Sequence, residues 1–169
     1  MDVLEAIHTV LAVRAYRPDP LPEEVVSAIV EAGRLTGSSM NRQPWHFVVV
    51  DDKATIEQLA ALAKTGPYIA GAPLAVVVAV EKESPYSVSD GSRAVQSMVL
   101  AAWAYGAGSN WVGFLGMEGV RTLLGIPDAY DILAVLPFGY PVDPGGQGKK
   151  RRKALGEVAS RGRYGAAFG

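Results

Sequence analysis

Residues 74–80 read Leu-Ala-Val-Val-Val-Ala-Val, the longest apolar run in the chain. It is too short to span a membrane, which takes about 18 or more apolar residues. Its β-branched content instead predicts a strand that is apolar on both faces. Such a strand cannot turn either face to water, so it needs cover on both sides. That requirement points to a sheet layered with helices, an α/β or α+β arrangement.

The other segments fit that demand. HFVVV (46–50), WVGFLG (111–116) and DILAVLPFGYP (131–141) are predicted as strands. A helix is expected over 2–11, where Val3, Ile7, Val10 and Leu11 recur at helical spacing. Pro18, Pro20 and Pro22 make 13–22 a loop, and Pro22 then opens a second helix running to about 35. DDKATIEQLAALAK (51–64) and MEGVRTLLGI (117–126) read as two further helices. SPYSVSDG (84–91) reads as an exposed loop, with Asp90 or Ser92 capping a helix over 93–106. That helix is apolar nearly all round and has to be buried on most sides, within one subunit or between two. The sum is about four strands and five helices in one domain, 1–169.

Charge is unevenly placed. Residues 149–163 (KKRRKALGEVASRGR) hold seven Lys/Arg and one acid, although the whole chain carries a net charge of −1. This basic C-terminal extension (145–169) has too little apolar content to fold alone, and could meet a phosphate, an acidic surface or water. There is no Cys, which removes disulfides, thiolate metal sites and cysteine nucleophiles. MDVLEAIHTV carries acids and lacks a basic leader, so no signal peptide is expected and a cytoplasmic location is the default. His8 and His46 stand apart with no acid cluster, and no metal site is expected. GxSxG, P-loop and GxGxxG motifs are absent, and aromatic and basic residues are not interleaved as nucleic-acid binding needs. With no catalytic side chain in view, a cofactor would have to supply any chemistry.

One stretch concentrates hydrogen-bonding groups. In SSMNRQPW (38–45), Ser38, Ser39, Asn41 and Gln43 gather where a helix stops and a strand begins. They suit either an ordinary turn or the edge of a planar heteroaromatic ligand.

The order of motifs resembles the nitroreductase family of flavin-dependent oxidoreductases. The pieces are GSSMNRQPW (37–45), AP (72–73), WVG (111–113), LLGIP (123–127), FGYP (138–141) and KKRRKALGEV (149–158). The resemblance implies a homodimeric α+β fold with FMN at the subunit interface. It implies electron transfer from NAD(P)H to a small-molecule acceptor such as a nitroaromatic, quinone or enone. Position by position, Ser38, Ser39, Asn41 and Gln43 would border the flavin ring and ribityl chain. Val112 and Gly113 would offer backbone near ring atom N5, and Arg14, Lys150 and Arg152 would reach the phosphate. One departure stands out: Val10-Leu11-Ala12 occupy the place of the family's Arg-Arg-Ser. That departure leaves open a non-catalytic protein storing or sensing a planar ligand, and a relative that uses a deazaflavin.

Overall fold

The structure is a computed structural model that describes residues 1–113, 117–143 and 150–169. Its centre is an antiparallel sheet in the order β1-β2-β4-β3, with β1 Trp45–Val50, β2 Leu74–Glu81, β3 Gly108–Ser109 and β4 Tyr130–Gly139. The Leu-Ala-Val-Val-Val-Ala-Val run is β2, an inner strand paired with β1 on one side and β4 on the other.

Its side chains alternate as the period of two demands. Leu74, Val76, Val78 and Val80 enter one apolar cluster, together with Val25 and Ile29 of α2 (Glu23–Arg34) and Val95 and Met98 of α4 (Ser87–Ala104). Ala75, Val77 and Ala79 enter a second, with Ile56 and Leu59 of α3 (Lys53–Leu62) and Val120 of α5 (Met117–Leu123). The sheet is therefore covered on both faces, as its composition requires. Between Val78 and Ala79 the register with β4 slips, because Val78 faces Ala134 while Ala79 faces Ile132. The extra residue, Leu133, packs into the first cluster.

Several sequence-based expectations need correction. The first helix, α1, spans only Val3–Thr9, with Asp2 accepting from the Glu5 amide at 2.8 Å as its cap. Val10 and Leu11 lie beyond it, and its apolar stripe is largely uncovered, with Val3 65% and Ile7 45% exposed. Periodicity identified the face, but within one subunit little packs on it.

The segment 84–91 is not an exposed loop. α4 begins at Ser87, and Ser87, Asp90 and Gly91 are buried. A β-carbon on Gly91 would sit 2.7 Å from both Val80 and Leu133 side chains, so only glycine lets the first turn of α4 settle on the sheet. Asp90 is accordingly inside the helix and not at its cap. The expected strand over 111–116 is also reduced. Regular pairing occurs earlier, at Gly108–Ser109, Val112 makes only an isolated bridge to Val135, and 114–116 lie outside the described residues. In the basic extension, 144–149 likewise lie outside them, and beyond these α6 (Leu155–Val158) is a short exposed helix. No helix among the described residues is long and apolar enough to cross a membrane.

Candidate functional site

The polar cluster at 38–43 folds into a tight bend around a 3-10 turn, Ser39–Asn41. Met40, Asn41 and Gln43 all have positive φ, at 51°, 56° and 52°. Asn tolerates this left-handed region, but for Met and Gln it is uncommon and costs energy unless the surroundings impose it. The surroundings do so here. The Gln43 amide donates to the Ser38 hydroxyl at 2.9 Å, and Gln43 Nε2 donates to both the carbonyl and Oδ1 of Asn41 at 3.2 Å.

The bend is also tied to the body of the protein. Asp90 of α4 is fully buried, and its Oδ2 accepts from the Ser39 backbone N–H at 3.0 Å. Its Oδ1 accepts from the Arg93 guanidinium. A buried carboxylate thus fixes one end of a strained polar loop to a core helix. Asp90→Ala would leave the Ser39 amide without its acceptor, so stability should fall by about 1–3 kcal/mol. Amide exchange at Ser39 should accelerate in the same variant, as hydrogen-exchange NMR would record.

The cations lie elsewhere. Lys150 and Arg152 line a groove of about 260 Å³ together with Val10, Leu11 and Ala12, the mid-part of α4, and Ser109 to Trp111. Lys150 Nζ donates to the Ile7 carbonyl near the end of α1, and an Arg152 N–H donates to the Arg151 carbonyl at 2.7 Å. Among the described residues neither has a carboxylate partner. None of Ser38, Ser39, Asn41 and Gln43 lines this groove.

Arg14 is apart from both places. It borders the adjoining hollow with Ala12 and Pro141, its guanidinium 5.8 Å from the centre of the Tyr68 ring. Beside it, burial pushes the Tyr16 phenol well above its ordinary range, with Tyr68 adding to the effect and Arg14 opposing it. Tyr16 therefore stays a neutral donor, to the Val13 carbonyl at 2.6 Å.

Val112 is paired with β4. It is buried, its N–H donates to the Val135 carbonyl at 3.0 Å, and its own carbonyl accepts from Val135 at 2.8 Å. Its N–H is therefore committed to β4, while its carbonyl oxygen keeps a second lone pair, and Gly113 follows it in the chain. A β-carbon there would lie 3.0 Å from Trp111 Nε1 and 3.2 Å from the Leu133 carbonyl oxygen, so the position is closely confined.

The nitroreductase family profile matches residues 11–83 and 62–140. The chain belongs to the nitroreductase family. A relative from Methanothermobacter thermautotrophicus, provisionally named NADH dehydrogenase/NAD(P)H nitroreductase, is 35% identical over 151 residues, covering 85% of this chain and 79% of its own. A crystal structure of a provisionally named NADH dehydrogenase/NAD(P)H nitroreductase from Bacteroides thetaiotaomicron superposes with a TM-score of 0.87 at 29% identity, over 94% of this chain and 96% of that one. An FMN-dependent nitroreductase from Clostridium difficile shares the fold, with a TM-score of 0.87 at 23% identity over 95% and 99% of the two chains. As a member of this family the protein is an oxidoreductase enzyme.

Three residues that hold the bend or line the groove are not marked as such by the sequence. Asp90 was legible only as a cap, because its role depends on the loop 51 positions earlier in the chain. Asn110, whose amide donates to the Tyr68 hydroxyl, and Ser109 carry no local signal beyond lying beside Trp111.

Proposed function

We propose that the protein is a homodimeric FMN-dependent oxidoreductase, taking electrons from NAD(P)H and passing them to an electron-poor small molecule such as a nitroaromatic, quinone or enone. The observation that carries this reading is the groove where Lys150 and Arg152, without carboxylate partners among the described residues, meet the 10–12 segment. In a chain of this family, two such cations fit the anionic end of FMN.

The residues present fit that group, with one reservation built into the sequence. Val10 and Leu11 bring apolar side chains, and Ala12 no polar one, where the family resemblance would place donors, so Lys150 and Arg152 carry most of the phosphate contact. FMN would supply the two-electron carrier that side chains here cannot. The chain would do the rest by holding and shielding. The bend at 38–43, held by Asp90, would present hydroxyl and amide groups to the ring and ribityl chain. Gly113 would let backbone approach the ring edge. His8 and His46 are both exposed, and neither is assigned an acid–base role.

Dimerisation is supported by apolar surface that one subunit leaves open. On α1 this is Val3, Leu4 and Ile7, on α6 Leu155 and Val158, each at least 45% exposed. Exposed apolar residues one turn apart on a short helix, as Val3 and Ile7 are on α1, mark a face that a partner can cover. Two copies would also unite what one copy holds apart, the bend at 38–43 and the Lys150–Arg152 groove.

The visible spectrum tests the reading. The purified protein is expected to be yellow, or to become so on adding FMN, and to bleach on adding NAD(P)H under argon. A colourless protein that takes up no added FMN would end it. The second reading, ligand binding without turnover, is favoured by Val10, Leu11 and Ala12 alone, and would be signalled by a bound flavin that NAD(P)H fails to bleach.

A further inference from the structure

Two buried side-chain oxygens among the described residues have no hydrogen-bond partner, those of Ser87 and Ser109. A buried hydroxyl with nothing to bond is costly and calls for an explanation. Ser87 does not line the Lys150–Arg152 groove; Ser109 does. Ser109 is 3% exposed and sits in β3 opposite Phe138, on the side of the sheet covered by α4.

Its neighbour across the strand spacing is Ala12. The two form a parallel bridge, in which the Val13 amide donates to the Ser109 carbonyl at 2.9 Å. Bridged residues project to the same side at a backbone separation of about 4.8 Å. Ala12 is the position where the family resemblance would place a serine hydroxyl. This chain has a methyl group there and an unpartnered hydroxyl one strand over.

We infer that Ser109 is an anion-binding residue of this groove, its hydroxyl taking over from the one missing at residue 12 and donating to the phosphate that Lys150 and Arg152 hold. The side chain has other staggered rotamers available about its Cα–Cβ bond, and a rotation among them would let the enclosed hydroxyl meet a ligand in the groove that the residue lines. The phosphate then satisfies it. The binding set is therefore one neutral donor from β3 and two cations from the C-terminal extension. Nothing is asked of Val10 or Leu11. This inference rests on the FMN reading above.

Ser109→Ala tests it in the full chain, stripped of flavin and titrated with FMN and, separately, with riboflavin, which lacks the phosphate. FMN affinity should fall about tenfold to a hundredfold, the size of one hydrogen bond to a charged group. Riboflavin affinity should stay the same, and the flavin-free variant should melt at the same temperature as wild type or higher. If wild type binds FMN and Ser109→Ala binds it equally well, or loses riboflavin in proportion, the inference falls while the FMN reading stands. A lower melting temperature for the flavin-free variant would mean that the hydroxyl already has a partner in the fold, and would overturn the inference too. If wild type binds neither flavin, both readings fall together.

Discussion

Replacing Lys150 and Arg152 together by alanine is expected to strip the protein of its flavin. An ammonium carries three donors and a guanidinium five. Lys150 spends a donor on the Ile7 carbonyl, and Arg152 spends one on the Arg151 carbonyl, so both retain donors for a ligand. A hydrogen bond to a charged group contributes about 1.5–3 kcal/mol, and two such losses correspond to a hundredfold or more in affinity. The loss should shrink as salt is raised, because the screening length shortens from about 8 Å at physiological ionic strength to about 3 Å at 1 M and weakens in wild type the attraction that the variant already lacks. Fluorescence titration with FMN at two salt concentrations reads both effects. Folding has to be followed alongside, since Lys150 also ties the C-terminal extension to α1. That bond accounts for about 0.5–1.5 kcal/mol, a drop of a few degrees in melting temperature for a chain this size. Retention of flavin at wild-type affinity would reduce the extension to a solvated basic end, and the phosphate would have to be sought elsewhere.

The parts of this fold written in local pattern could be read from the sequence, and the parts created by distant contacts could not. Seven consecutive apolar residues at 74–80 demanded a strand covered on both sides, and β2 is that strand. The 84–91 segment misled for the opposite reason. Its Ser, Pro, Asp and Gly are loop-formers by propensity, yet Gly91 packs against Val80 and Leu133 and Asp90 finds Ser39 and Arg93, so tertiary contact overrides the local signal. β3 was invisible because two residues, Gly108 and Ser109, make no apolar run. The site divides the same way. That Ser38, Ser39, Asn41 and Gln43 form a polar cluster was plain. That Met40 and Gln43 adopt left-handed backbone was not, since neither residue type favours it. That the Val112 N–H pairs with the Val135 carbonyl was not legible either, because the partner lies on a distant strand. Val3 and Ile7 do share an apolar helix face, whereas Val10 and Leu11 fall beyond the helix end and line the groove, because α1 stops at Thr9.

Restoring the missing donors should move affinity the other way. Val10 follows the last turn of α1, its amide bonded to the Ala6 carbonyl at 2.9 Å, and it is only half-buried, so a longer side chain has room to enter the groove. In Val10→Arg with Ala12→Ser, a third cation and a second hydroxyl join Lys150, Arg152 and Ser109. Without an anion, three like charges around a groove of about 260 Å³ repel, and the flavin-free protein should melt lower than wild type and recover with salt. With FMN present the sign reverses. Affinity should rise about tenfold to a hundredfold, and the melting temperature of the loaded protein should rise by the corresponding mass-action term. Opposite shifts in the two states would distinguish a completed anion site from a general change in packing, which moves both the same way. An unchanged or weaker FMN affinity would mean that segment 10–12 does not face the phosphate. The same background also interrogates Ser109. If the two hydroxyls serve one phosphate from adjacent strands they are partly redundant, so Ser109→Ala should lose less affinity once Ala12→Ser is present than it does alone.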